Sequence, residues 1–219
     1  MTRIRQLGVV TAATAAALLV VSSVAAAHPG HGHAWGKGFV RTFGTMDGET
    51  ITAQPGEKNL IIARAGDDIV RAGDMRDIVR GNRGDDDLYG EEGPDRLYGG
   101  RGEDELYGGS ENDRLYGGAD DDILNGGPGN DRLYGGRGED ELYGDEGNDR
   151  LVGGRNDDLI VAGTGNDRVR GGPGDDVIDV YDDPVERDVV FCGPGTDTVY
   201  ADTSDVLIGC EDVKNTPMT

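Results

Sequence analysis

The chain has 219 residues, of which 43 are Asp or Glu and 21 are Lys or Arg, giving a formal net charge of −22. Glycine numbers 39 and aromatic residues make up only 5%, a balance that excludes a layered globule with a thick apolar core. Nucleic acid and anionic membrane surfaces are poor partners, since phosphate binding rests on clustered Lys and Arg, and cations are the natural counterpart.

Arg3 and Arg5 precede an uncharged apolar run from Leu7 to Val21. Ala25, Ala26 and Ala27 follow as the small residues of a cleavage site. Residues 1–27 therefore read as a secretory signal peptide ending before His28. The run is short for a membrane span, and no basic flank follows it. Loss of Arg3 and Arg5 leaves 19 basic against 43 acidic residues, a mature charge of −24. The expected destination is extracellular, where disulfides persist.

Residues 28–43 read as an N-terminal linker. They hold His28, His31 and His33, a weak candidate for Cu²⁺ or Zn²⁺ through imidazole and a free α-amine. Residues 44–62 look like degenerate repeats forming a cap, with Asn59 and Ile61 in register with Asp68 and Val70.

From Ala63 to residue 179 the chain falls into nonapeptides without a gap, such as GNRGDDDLY (81–89) and GGRGEDELY (99–107 and 135–143). The sixth position is Asp in thirteen successive copies. These are Asp68, Asp77, Asp86, Asp95, Asp104, Asp113, Asp122, Asp131, Asp140, Asp149, Asp158, Asp167 and Asp176. The eighth is aliphatic in every copy, from Val70 to Ile178. High charge with few aromatics also fits disorder, but disorder has no reason to keep such a register.

Asp-x-aliphatic-x makes only a short strand, with the aliphatic side chain facing inward and its neighbours outward. The glycine-rich part must turn tightly. Two nonapeptides then close one coil of about 18 residues. An alternation with this two-repeat period is visible. Position seven is Arg96, Arg114, Arg132, Arg150 and Arg168 in one set, and includes Asp87, Glu105 and Glu141 in the other. Position five is Asn112, Asn130, Asn148 and Asn166 in one set and acidic in the other. Recent duplication also leaves such a trace, and duplication by whole coils implies the same geometry. The expected fold is all-β, a right-handed parallel β-roll with about 18 residues per turn.

The pattern GGxGxDxUx, with U aliphatic, resembles the RTX, or haemolysin-type, calcium-binding repeats. The resemblance implies a β-roll that binds Ca²⁺ through its loops, and it names the thirteen aspartates as metal residues. The physics agrees. Equivalent aspartates on adjacent coils stack about 4.8 Å apart, where two like charges repel by roughly 3 kcal/mol at an effective dielectric near 20. A divalent ion that takes carboxylate and carbonyl oxygens relieves this, and Ca²⁺ suits such a site better than Mg²⁺. The alternative is that each Asp only caps a turn by hydrogen bonding. Met75, Glu111, Asp120 and Asn156 stand where the fourth glycine belongs, and the sites at Met75 and Glu111 are expected to be weakened.

After a three-residue insertion near Tyr181 the pattern resumes with Asp188/Val190 and Asp197/Val199. Residues 180–219 read as degenerate repeats and a C-terminal cap. Cys192 and Cys210, one coil apart in sequence, are a candidate disulfide, with a one-residue slip in register near Asp205.

No HExxH zinc helix and no GxSxG elbow is present, so the chain is expected not to be an enzyme. The function expected is that of a secreted calcium-binding protein. The alternatives are a small RTX-type toxin or hydrolase accessory, or a carbohydrate- or surface-binding protein using outer Tyr and Arg ladders.

Overall fold

The computed structural model of the chain describes residues 39–181 and 186–218. The aliphatic eighth position sets its architecture. Inward side chains spaced about nine residues apart define, among the described residues, twenty short strands arranged in two parallel ten-stranded sheets. The first sheet takes β1 (Val40–Phe43), β3 (Asn59–Ile62), β5 (Ile78–Arg83), β7 (Arg96–Arg101), β9 (Arg114–Ala119), β11 (Arg132–Arg137), β13 (Arg150–Arg155), β15 (Arg168–Arg170), β17 (Val189–Phe191) and β19 (Val206–Ile208). The second takes β2 (Thr50–Thr52), β4 (Ile69–Arg71), β6 (Asp87–Glu92), β8 (Glu105–Ser110), β10 (Ile123–Asn125), β12 (Glu141–Tyr143), β14 (Leu159–Val161), β16 (Val177–Asp179), β18 (Thr198–Tyr200) and β20 (Asp212–Lys214). Among the described residues no helix is long and apolar enough to cross a membrane.

The register through the repeats is one coil of two nonapeptides: Leu97 pairs with Leu115 and Leu115 with Leu133 in one sheet, Leu88 with Leu106 and Leu106 with Leu124 in the other. This is the parallel β-solenoid that the nonapeptides predict. The core is a single file of aliphatic side chains from each sheet, Leu88 through Leu151 all fully buried. Each coil touches chiefly the coils beside it, so stability accumulates by nearest-neighbour contact.

The ends depart from this register. β1 lies within the stretch read as a linker and pairs Val40 with Asn59, a spacing of 19. Neither a glycine pair nor a nine-residue register marks it, so the roll starts earlier than the sequence suggests. Beyond Tyr181 the spacing widens to 21 (Arg168 with Val189), then contracts to 17 (Val189 with Val206) and 14 (Thr198 with Asp212). The contraction closes the roll with ever shorter coils.

Cys192 and Cys210 form a disulfide with Cα atoms 5.3 Å apart. The register of 17 between Val189 and Val206 leaves Cys210 one residue past the position opposite Cys192, the slip expected near Asp205. A cross-link across a sequence separation of 18 removes roughly 3 kcal/mol of chain entropy from the unfolded state. The paired substitution Cys192→Ser with Cys210→Ser is therefore expected to cost about that much. Hydrogen exchange should show the loss concentrated in β17–β20.

Candidate metal centre

All thirteen sixth-position aspartates are buried, at relative exposures of 0–3%. Each ends the turn that enters a strand, so those leading into one sheet stack in one column along the roll. In each column the Oδ1 of one aspartate accepts the backbone N–H of the aspartate one coil earlier. Asp68 donates to Asp86 at 2.9 Å, Asp86 to Asp104 at 2.9 Å and Asp104 to Asp122 at 2.9 Å. On the other edge Asp95 donates to Asp113, Asp113 to Asp131 and Asp131 to Asp149, each at 2.7 Å.

The second oxygen is different. In all thirteen aspartates Oδ2 is buried without a hydrogen-bond partner. Buried polar atoms are normally paired, and an unpaired carboxylate oxygen is costly. Thirteen orphans in register are therefore a property of the design. Turn capping, the alternative reading of these aspartates, describes Oδ1 and leaves Oδ2 unexplained.

In ten of the thirteen repeats Oδ2 lies over a cradle made by the first glycine of the repeat. A Cβ at Gly99 would overlap Oδ2 of Asp104, and one at Gly117 would overlap Oδ2 of Asp122. The glycine pair thus serves two purposes. Its first member leaves room beside the carboxylate, while the second bends the backbone, as at Gly100 with φ of 134°. Gly99→Ala is expected to lose one bound ion from the calorimetric stoichiometry and, by overpacking, about 1–3 kcal/mol of stability. Ala63, Ala72 and Ala162 already occupy the first position before Asp68, Asp77 and Asp167, so the cradle is narrower near both ends of the roll. At the fourth position, Glu111 adopts the left-handed conformation with φ of 78°, as do Asp120 at 81° and Asn156 at 78°. Asp113, which follows Glu111, is as buried as its counterparts.

Burial raises the carboxyl pKa values. They lie near 6 for Asp68, Asp77, Asp140 and Asp176, near 7 for Asp86, Asp104, Asp113, Asp131 and Asp149, near 8 for Asp122 and Asp158, and about 9 for Asp95. The first cause in every case is loss of water around the charged form; the charge of the neighbouring aspartate adds to it in most. Desolvation, more than repulsion between stacked charges, is therefore what a cation must offset.

The columns extend further than the thirteen. Asp167 donates to Oδ1 of Asp188, Asp176 to Asp197, and Asp188 to Asp205. Asp188 and Asp197 are fully buried, each with an orphan Oδ2. Asp188 and Asp197 are where the nine-residue pattern resumes after the insertion near Tyr181, and only Asp205 lies off it, at the one-residue slip. Position five adds an outer ladder, and here the two edges differ. One carries carboxylates, with Glu103 donating to Asp85 and Glu139 to Asp121. The other carries amides, with Asn130 donating to Asn112 and Asn148 to Asn130.

Among the described residues no three His, Cys, Asp or Glu side chains converge on one point. Two stacked aspartates, together with backbone carbonyls of the turns, would then be the residues to hold an ion. An all-oxygen set of carboxylate and carbonyl suits a hard cation such as Ca²⁺. His28, His31 and His33 lie outside the described residues, as do residues 1–27.

No curated protein matches the chain. The family model for the RTX calcium-binding nonapeptide repeat matches it in seven overlapping stretches that together run from residue 62 to residue 181.

Proposed function

Since the chain belongs to the RTX calcium-binding nonapeptide-repeat family, we propose that it is a secreted, non-enzymatic calcium-binding protein whose roll folds as the ions bind. The observation that carries this reading is the file of orphan Oδ2 atoms, one over each cradle. Bound there, Ca²⁺ supplies the positive charge that replaces the water the carboxylates have lost. The aspartates also hold the coils in register through Oδ1, so the residues that would bind the ion are the ones that join neighbouring coils. Binding and folding are then one equilibrium. Secretion is supported by the apolar segment with Ala25–Ala27 at the N-terminus and by the disulfide, a bond favoured in oxidising compartments.

Calorimetric titration of the calcium-free chain tests this. The expected result is many ions bound per chain, a stoichiometry near ten, with strand ellipticity rising in parallel. One or two ions bound with no change in ellipticity would reject it.

A further inference from the structure

The net charge conceals a segregation of charge by face. Eleven arginines lie on the outer side of the first sheet between β5 and β15. One column is Arg96, Arg114, Arg132, Arg150 and Arg168, paired in register. Another is Arg83 and Arg101, interrupted by Ala119, then Arg137 and Arg155. Between the columns stand Tyr98, Tyr116 and Tyr134, ring centroids 4.9 and 5.0 Å apart and nearly parallel. Arg80 lies over the ring of Tyr98 at 5.1 Å. The ion pairs found elsewhere on the roll, Arg71 with Glu91 and Lys214 with Asp212, involve none of these arginines.

Beside the tyrosines runs a trough, because two glycines in succession leave no side chains. At one end it is a cleft of about 390 Å³ walled by Arg80, Tyr98, Arg83 and Arg101 and floored by Gly99 and Gly100. A second cleft of about 580 Å³ lies farther along the same sheet, lined by Arg170, Phe191, Gly171 and Gly172. The glycine pairs recur in register between them, Gly100 beside Gly118, Gly118 beside Gly136 and Gly136 beside Gly154. Like charges held one strand spacing apart repel, so the columns are an unfavourable arrangement in isolation. A ligand bearing anions at a similar repeat turns that repulsion into attraction.

We propose that this trough binds a linear acidic polysaccharide lying along the roll axis, its carboxylates paired with the two arginine columns and its hydroxyls with the tyrosine edges. Guanidinium and carboxylate match in two-point geometry, and an extended pyranose chain advances by nearly one strand spacing per sugar. Single-stranded nucleic acid fits less well. Its bases need open aromatic faces, and here the ring faces cover one another. A second copy of the chain fits less well too. Position seven of its second sheet offers only Asp87, Glu105 and Glu141, and the last two already accept from Tyr107 and Tyr143. The proposal rests on the calcium-loaded roll being folded.

The test is calorimetry of the full chain, saturated with calcium, against hyaluronan oligosaccharides, with dextran and oligothymidylate as comparison ligands. Expected are binding of hyaluronan that high salt abolishes, none of dextran, and weakening of at least tenfold in the triple variant R114Q/R132Q/R150Q. The second-sheet variant E105Q/E141Q should bind as the parent does. Absence of hyaluronan binding, equal binding by the triple variant, or oligothymidylate bound as tightly would each overturn the proposal. Calcium titration and ellipticity on the same samples report separately on the calcium reading. Should the triple variant not fold, R114Q and R150Q singly carry the comparison.

Discussion

Dialysed free of calcium at pH 7.5, the chain is expected to lose its strand ellipticity, and to regain it in the same metal-free buffer at about pH 4. An unfolded aspartate titrates near 3.9, whereas the buried carboxyls of the folded, metal-free roll titrate from near 6 to about 9. Between those limits the folded state holds protons that the unfolded chain has released. Stability contributed by these groups is complete below about pH 4 and falls as pH rises through 6 to 9. With calcium present the sign reverses, because acid competes with the ion for Oδ2. Acidification should then release calcium while a protonated roll survives. Far-UV circular dichroism against pH, with and without calcium, measures both limbs. A strand spectrum at pH 7.5 that is indifferent to calcium removal is the outcome that would sink the account.

The second large effect is expected from Asp95→Asn, Asp122→Asn and Asp158→Asn combined, at the three carboxyls with the highest pKa values. Asparagine keeps the Oδ1 acceptor for the preceding coil and removes a charge that burial penalises. Without calcium at pH 7.5 the triple variant should therefore be more folded than the parent. With calcium it should be less stable and bind roughly three fewer ions, since amide oxygens are weaker partners for a hard cation. Opposite signs in the two states are the signature. If the aspartates served only as turn caps, the variant would shift both states in the same direction. Thermal unfolding with and without calcium distinguishes these outcomes.

The repeats made most of this molecule legible. Aspartate at position six and an aliphatic residue at position eight fix which side chains turn inward, and the alternation of Asn112 with Asp121 separates the two edges. Cys192 and Cys210 are readable as a pair because one coil separates them. Other features need the backbone in space. Val40–Phe43 carries no repeat, and Val40 pairs with Asn59, off the count of two nonapeptides. Gly99 and Gly100 look alike in the sequence yet do different work, one making room for a carboxylate and the other bending the chain. Net charge averages over faces, so the second arginine column and the glycine trough beside it surface only when position three is folded next to position nine. The orphan oxygens are the clearest case: an aspartate in a repeat signals a role, but only packing shows that one of its two oxygens is already engaged.

The buried aspartate column also has a polarity. Every carboxylate reaches backward to hold the amide of the winding before it, from Asp197 holding Asp176 to Asp86 holding Asp68. Within this column, trimming windings from the N-terminal end frees carboxylate oxygens and trimming from the opposite end frees aspartate amides, while the strand ladder loses donors at either cut, as where the Asp87 amide is held by the Asp68 carbonyl. The tail with Asp205, Glu211 and the sulfur staple thus acts as a keystone, receiving the amides of Asp188 and Asp197.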